Sequence, residues 1–197
     1  MKFSPILIVG GEPNSIFFEI FLKAISSKKF KSPIIIIGSK KLFELQMKKL
    51  GFNRRLNTLN INDLGKIKLN NKLINLIDVH YNTKKPFEKI SKKSNNFIND
   101  SFNLAFSLIK KEKIKKFING PISKKNFLNK KFPGMTEYIA NSFNISKSAM
   151  LIYNKNLSVC PLTTHIPIKN VTKMITKKIL YEKVHLINQF YKKKLGK

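Results

Sequence analysis

The stretch PILIVGGEPNSIFFEIFLKAISSKKFKSPIIIIGS (residues 5–39) decides the fold. Two continuously apolar runs, at 5–11 and 32–39, are bounded by Gly or Pro, which is typical of strands covered on both faces of a parallel sheet. The segment between them, SIFFEIFLKAIS, has the amphipathic pattern of a helix. Strand, helix and strand in this order predict a βαβ unit.

The rest of the chain continues to alternate short apolar runs with amphipathic segments. The predicted elements are a helix at 40–50 stopped by Gly51, an irregular region at 53–72 with one short strand, a strand at 74–80, a helix at 96–114, a strand at 115–120, a short helix at 135–144, strands at 149–154 and 157–164, and a helical tail at 167–196 broken near Thr176. This alternation predicts a three-layer α/β/α sandwich with a largely parallel sheet. We expect a first α/β domain at 1–125 and the beginning of a second domain at 126–197.

The charge of the chain is strongly positive, at +29 over 197 residues. Clustered cations bind phosphate backbones, so a basic nucleic-acid-binding module is one alternative. Only Arg54 and Arg55 among the 39 basic residues are arginine, however, and the lysines are spread over the whole chain without a reading motif. We therefore expect no nucleic acid as a dedicated partner.

The first apolar runs of the given sequence do not have the pattern expected of a signal peptide or a membrane span. The first apolar run has four residues before two glycines, and the next is interrupted by Glu19 and Lys23, so neither a signal peptide nor a membrane span fits. The single cysteine, Cys160, excludes an internal disulfide framework and fits a reducing compartment. We expect a cytoplasmic protein with no membrane partner.

Three polar segments, GGEPNS, NGPISKK and LTTHIP, each follow a predicted strand. In open α/β sheets, ligands bind beyond the carboxyl ends of the strands, so these segments are candidate site loops. His165, in the third segment, is either a metal ligand or a satisfied polar residue at a turn. His80 and His185 are interpreted as a strand-end residue and a helix-surface residue.

Four short blocks then suggest a family. Gly11-Glu12-Pro13, Asn119 to Lys124 (NGPISK), Pro133 to Tyr138 (PGMTEY) and Thr163 to Val171 (TTHIPIKNV) are similar in order and spacing to blocks of the 4-hydroxythreonine-4-phosphate dehydrogenases. The resemblance covers nearly the whole chain. It implies the fold of isocitrate and isopropylmalate dehydrogenases, incomplete here at the C-terminus. It also implies NAD- or NADP-dependent oxidation and decarboxylation of a phosphorylated hydroxy amino acid on the route to pyridoxal phosphate.

The resemblance also suggests roles for individual residues. His165 matches the first metal histidine of the family, and the divalent metal would be Zn, Mg, Mn or Co. Thr136 matches a substrate-binding threonine, and Met135 stands where the family has a substrate-binding histidine. Lys124 is either a substrate contact or one more solvated lysine. Glu12 is either a loop carboxylate or a helix N-terminal charge favoured by the helix dipole, and no chemical role is assigned to it.

Two features depart from the family pattern. Met135 cannot donate a hydrogen bond to substrate, and Ser15 and Phe17 replace glycines that usually follow GEP. Family members continue beyond this length with two more metal histidines and most of the NAD surface, so we expect the 197-residue chain alone to be inactive and the complete protein to be a homodimer. The alternatives are a related dehydrogenase for a phosphorylated sugar acid (threonate or erythronate 4-phosphate) and a non-catalytic remnant.

Overall fold

A computed structural model describes residues 4–64, 69–112, 114–128 and 131–196. The chain divides into two compact units, Met1–Asn129 and Lys130–Lys197. Within the described parts, no helix is both long and apolar enough to cross a membrane.

The first unit is built on a five-stranded sheet in which every strand pair is parallel. Its strands are β1 (Ile6–Val9), β2 (Ile34–Gly38), β3 (Leu56–Thr58), β4 (Ile74–Asp78) and β5 (Lys116–Asn119). They lie in the order β3-β4-β2-β1-β5, with Val9 opposite both Ile37 and Asn119. The carboxyl ends of β1, β2 and β5 therefore meet at one edge, as the strand-end argument requires.

Three helices connect these strands: α1 (Phe17–Ser27), α2 (Lys40–Leu50) and α3 (Asn95–Glu112). The crossovers through α1 and α2 run in one direction across the sheet, and the crossover through α3 runs in the other. Because parallel crossovers are right-handed, the two directions place α3 on the opposite face from α1 and α2. The predicted three-layer α/β/α sandwich with a parallel sheet is confirmed in this unit.

Aromatic side chains fill the space on both faces of the sheet. Phe18 and Phe43 pack edge to face with ring centroids 4.6 Å apart, and both are buried. On α3, Phe102 and Phe106 have centroids 5.8 Å apart and are also buried. The helical spacing in the sequence predicted this buried stripe of α3, since it is the face that the helix turns towards the strands.

The predicted elements of the first unit agree with the structure. β1, α1, β2 and α2 lie where the opening stretch and its continuation placed them, and Gly51 follows α2. The short strand expected at 53–72 is β3, while residues 65–68 of that region lie outside the described residues. A single π-helical turn at Lys124–Leu128 follows β5.

The second unit contains the helices α4 (Met135–Ser142), α5 (Val171–Met174) and α6 (Lys177–Phe190). The predicted break near Thr176 is confirmed: the Thr176 hydroxyl accepts a hydrogen bond of 3.2 Å from the Ile179 amide and caps α6. Gly134 is the only buried residue among the described residues 131–196.

The strands predicted at 149–154 and 157–164 are wrong. These segments pair only at Ile152 and Val159, in one antiparallel bridge. Apolar composition suggested strands, but a strand also needs a partner strand along its length, and a pair of segments alone is marginal in water. Consistent with this, Ile152, Leu157 and Val159 remain 60%, 73% and 52% exposed.

Candidate functional site

In the first unit, the loops after β1 and β5 pass close to each other. The Glu12 amide donates a 2.8 Å hydrogen bond to the Pro121 carbonyl, and the Gly120 amide donates one of 2.7 Å to the Val9 carbonyl. A Cβ at Gly11 or Gly120 would overlap backbone atoms of the opposite loop, so this approach requires glycine at both positions. Two of the three predicted site segments are thus neighbours at the carboxyl edge of the sheet.

Glu12 is almost fully buried, at 2% exposure. The Ser94 hydroxyl lies within hydrogen-bonding distance of both of its carboxylate oxygens, and the Asn14 amide donates to one of them at 3.4 Å. Burial raises the pKa of the Glu12 carboxyl above its usual range, although the bonds from Ser94 and Asn14 partly oppose the shift. The carboxylate therefore joins the loop to the segment before α3, in agreement with the interpretation of Glu12 as a loop carboxylate.

Lys124 is exposed and begins the π-helical turn that follows the Gly120-Pro121 loop. It belongs to the first unit, whereas Met135, Thr136 and His165 belong to the second. Its assignment as a substrate contact stays a prediction.

In the second unit, the block Pro133 to Tyr138 forms the start of α4. Gly134 precedes the helix, and its carbonyl accepts a 3.2 Å hydrogen bond from the Tyr138 amide. Met135 and Thr136 are the first two helical residues, and both are half-buried. The helix start thus holds the two predicted substrate contacts next to each other. Their role stays a prediction.

The third predicted segment folds against this helix start. The Thr164 hydroxyl donates a 3.4 Å hydrogen bond to Glu137 Oε1. A Cβ built on Gly134 would lie 2.9 Å from Glu137 Oε2 and 3.1 Å from His165 Nε2. The two atoms therefore converge over the Cα of Gly134, and a side chain at this position would have to displace both of them. Two blocks that are 27 residues apart in sequence come together at this point.

His165 has an unusual backbone conformation, with φ at +56°. Residues other than glycine rarely adopt this left-handed conformation, and it costs of order 1–2 kcal/mol. The side chain is exposed. The imidazole is thus held by its loop with one nitrogen next to Gly134, and it remains accessible to a ligand.

Not all the ligands of a metal site are present in the described residues. They contain no group of three or more His, Cys, Asp or Glu side chains that could hold a metal ion. Glu137 Oε2 is nevertheless shielded from solvent and has no hydrogen-bond partner, and it faces the same point as the His165 imidazole. An imidazole nitrogen and a carboxylate oxygen are suitable ligands for zinc, so these two residues fit one side of such a site.

The other two histidines agree with their interpretation. His80 is exposed after β4, and His185 is exposed on α6, where its ring stacks against Tyr181. In α4, burial raises the pKa of the Tyr138 phenol above its usual range.

Residues 29–197 match the family described as pyridoxal phosphate biosynthetic protein PdxA. The chain belongs to this family. A relative from Sulfurihydrogenibium sp., named 4-hydroxythreonine-4-phosphate dehydrogenase, is 34% identical over 190 residues, which are 94% of this chain and 57% of that protein. A relative of the same name from Wigglesworthia glossinidia brevipalpis is 30% identical over 191 residues, or 94% of this chain and 56% of that protein.

The PdxA fold is also seen in solved structures. The 4-hydroxythreonine-4-phosphate dehydrogenase of Klebsiella pneumoniae matches with a TM-score of 0.78 at 18% identity, over 96% of this chain and 58% of that one. The enzyme of Burkholderia phymatum matches with a TM-score of 0.76 at 20% identity, over 93% and 56%. The predicted family and fold class are therefore confirmed. The chain spans a little over half the length of these PdxA relatives.

Sequence reasoning missed that Gly134 and Glu137 lie beside His165. Both stand in the quoted block PGMTEY, but neither was given a role. The available signal was a carboxylate one helical turn after a glycine, next to the predicted substrate contacts. Spacing alone could not show that this carboxylate faces His165.

Proposed function

We propose that this chain is part of a 4-hydroxythreonine-4-phosphate dehydrogenase of pyridoxal phosphate biosynthesis, which oxidises and decarboxylates 4-phosphooxy-L-threonine with NAD or NADP, and that the 197 residues alone are inactive. The observation that carries the proposal is the convergence of the Gly134–Glu137 block with His165, within a chain of the PdxA family. The names of the relatives support the substrate and the reaction.

The reaction assigns a task to each candidate residue. Transfer of a hydride to NAD⁺ or NADP⁺ and loss of the hydroxyl proton produce a ketone β to the carboxylate. The carboxylate then leaves as CO₂, and the resulting enolate takes up a proton at carbon. A divalent cation, when bound, lowers the pKa of the substrate hydroxyl and stabilises the negative charge that develops on that oxygen. In this proposal the His165 imidazole binds the cation, the Thr136 hydroxyl donates to a phosphate or carboxylate oxygen, and Lys124 supplies positive charge to the phosphate. Met135 packs beside the substrate without a hydrogen bond.

We further propose that the protein works as a homodimer in the cytoplasm. Support comes from the exposed apolar side chains of the second unit, among them Ile168 at 89% and Tyr181 at 71% exposure. Large exposed apolar surfaces commonly mark protein contacts. Sedimentation analysis at several protein concentrations tests this pairing, and a protein that stays monomeric at all of them would contradict it.

The activity is tested with the product of the whole reading frame that encodes this chain and, in parallel, with the 197-residue chain. Reduction of NAD or NADP is followed with 4-phosphooxy-L-threonine, after chelation and after return of Zn²⁺, Mg²⁺, Mn²⁺ or Co²⁺. We expect metal-dependent turnover from the whole product, loss of at least about 100-fold in His165→Ala, and no turnover from the 197-residue chain. Because the chain offers no complete set of metal ligands among its described residues, robust turnover by it alone would contradict the assignment of His165.

The substrate is tested in the same assay. Threonate 4-phosphate and erythronate 4-phosphate lack the amino group but keep the phosphate and the hydroxyl that is oxidised. Higher kcat/KM with either sugar acid than with 4-phosphooxy-L-threonine would replace the proposed substrate by that acid. Absence of turnover with all three, in every metal, would overturn the dehydrogenase assignment.

A further inference from the structure

One carboxylate oxygen of Glu137, Oε2, is buried without an electrostatic partner among the described residues. Its Oε1 accepts the bond from Thr164, whereas its Oε2 is shielded from solvent and has no hydrogen-bond partner. A carboxylate removed from water is costly unless a cation or hydrogen-bond donors compensate it. The compensating group for Oε2 is not supplied by the described protein atoms.

The charged side chains nearby do not provide it. The ion pairs among the described residues are Lys23–Glu19, Lys93–Glu88 and Lys147–Glu182, so none includes Glu137. This is notable in a chain with a net charge of +29. The missing partner is therefore not one of the lysines or arginines that the structure describes.

His165 is a group of suitable chemistry that faces the same point as Glu137 Oε2. Glu137 Oε2 and His165 Nε2 lie 2.9 and 3.1 Å from the Cβ position of Gly134, so they are no more than 6.0 Å apart, the sum of those distances. No direct hydrogen bond joins them. Two ligands of one zinc ion lie about 4.2 Å apart or less, since each bond is about 2.0–2.2 Å long. The upper bound on the distance between Glu137 Oε2 and His165 Nε2 includes this range, and both atoms stand at the ends of side chains that can adjust.

We propose that Glu137 is a second ligand of the divalent cation that His165 binds. The inference rests on the proposed function for the presence of that cation, and it adds a residue to the site. The cation neutralises the buried oxygen, and the Thr164 hydroxyl orients the carboxylate by holding Oε1. Gly134 belongs to the same site, because the absence of a side chain there leaves space for both ligand atoms.

The test uses Mn²⁺ alone as a paramagnetic probe on the ¹⁵N-labelled 197-residue chain. Bound Mn²⁺ broadens the amide signals of nearby residues, including Gly134 and Thr164, even when binding is weak. We expect selective broadening of these signals in the unmodified chain. We expect the Mn²⁺ concentration for half-broadening to rise at least tenfold in both Glu137→Gln and His165→Ala.

Two variants control the measurement. Glu137→Gln keeps the shape and the acceptor for Thr164, so amide chemical shifts elsewhere should not change. Glu182→Gln removes a carboxylate of the same unit that is paired with Lys147 at 3.0 Å. The amide signals of this variant should broaden with Mn²⁺ as they do in the unmodified chain. Glu137→Asp keeps the charge on a shorter side chain. Its Mn²⁺ concentration for half-broadening should lie between those of the unmodified chain and Glu137→Gln.

Each outcome separates this inference from the dehydrogenase assignment. If the broadening is unchanged in Glu137→Gln but is lost in His165→Ala, Glu137 is not a ligand. The proposed function then still stands. Absence of selective broadening in the unmodified chain also overturns the inference, whatever the dehydrogenase assay gives. Selective broadening that needs both residues supports the shared cation site, even if the whole product shows no dehydrogenase turnover.

Discussion

The Ser94 hydroxyl lies 3.0 and 2.9 Å from the two carboxylate oxygens of Glu12, across 82 residues of sequence. Its single proton is shared between these oxygens and the Ser91 carbonyl, also 3.0 Å away. The contact joins the loop after β1 to the segment before α3. It therefore holds in place the loop that approaches Gly120-Pro121 at the carboxyl edge of the sheet.

Replacing Ser94 by Ala should destabilise the first unit. The substitution leaves the buried Glu12 carboxylate with the 3.4 Å bond from the Asn14 amide as its remaining hydrogen bond. Loss of a hydrogen bond to a charged buried group predicts a decrease of about 1.5–3 kcal/mol in the free energy of unfolding. Urea unfolding followed by circular dichroism measures it. Ser27→Ala removes an exposed hydroxyl at the end of α1 and should change stability by less than about 0.5 kcal/mol.

The raised pKa of Glu12 predicts a pH dependence of stability. Because the folded protein holds this proton more tightly than the unfolded chain, the stabilising contribution is complete below the ordinary pKa of 4.5. It is lost as the pH rises through the higher pKa of the folded state. Glu12→Gln cannot titrate, so its stability relative to the unmodified chain should increase as the pH is raised above 4.5. Urea unfolding of both proteins between acidic and neutral pH measures the difference, and a difference that is constant over this range would contradict the prediction.

Gly134→Ala should damage the site more than the fold. The new methyl group would come within 2.9 Å of Glu137 Oε2 and 3.1 Å of His165 Nε2, both at the ends of side chains that can move aside. We expect a change below about 1 kcal/mol in stability, and at least a tenfold weaker Mn²⁺ effect on the Thr164 amide.

Gly51→Ala is the matched control and should show the opposite pattern. Gly51 has φ at +73° and open space around its Cα, so the methyl group meets no atom but strains the backbone. The expected cost is about 1–2 kcal/mol of stability with no change in Mn²⁺ broadening. Equal effects of the two substitutions on the site would show that Gly134 has no special role.

Met135→His tests the substrate pocket in the product of the whole reading frame. If the substrate contacts the start of α4, an imidazole there should add a hydrogen bond and change KM or kcat by about tenfold, corresponding to about 1–2 kcal/mol. Stability should change little, because Met135 is only half-buried. Met174→His makes the same change at a residue that is 45% exposed, and its kinetics should be unaltered. A large loss of stability with unchanged kinetics would show that Met135 serves packing.

The sequence by itself determined the order of the strands and helices in the first unit and the family to which the chain belongs. The apolar runs of β1 and β2, the helical spacing in α3 and the break near Thr176 are local patterns, and residues near each other in sequence decide them. The four motif blocks are likewise local strings. His165 and Thr136 could be singled out as candidates for the same reason.

Only the tertiary structure decided which of these residues meet. The buried Glu12 meets Ser94 across 82 residues, and the unpartnered oxygen of Glu137 faces His165 only because the chain returns to the start of α4 after 27 residues. The expected strands at 149–154 and 157–164 failed for the same physical reason, since a strand forms only where another backbone supplies its hydrogen bonds. Contacts between distant segments depend on the path of the whole chain, and no local pattern of residues encodes them.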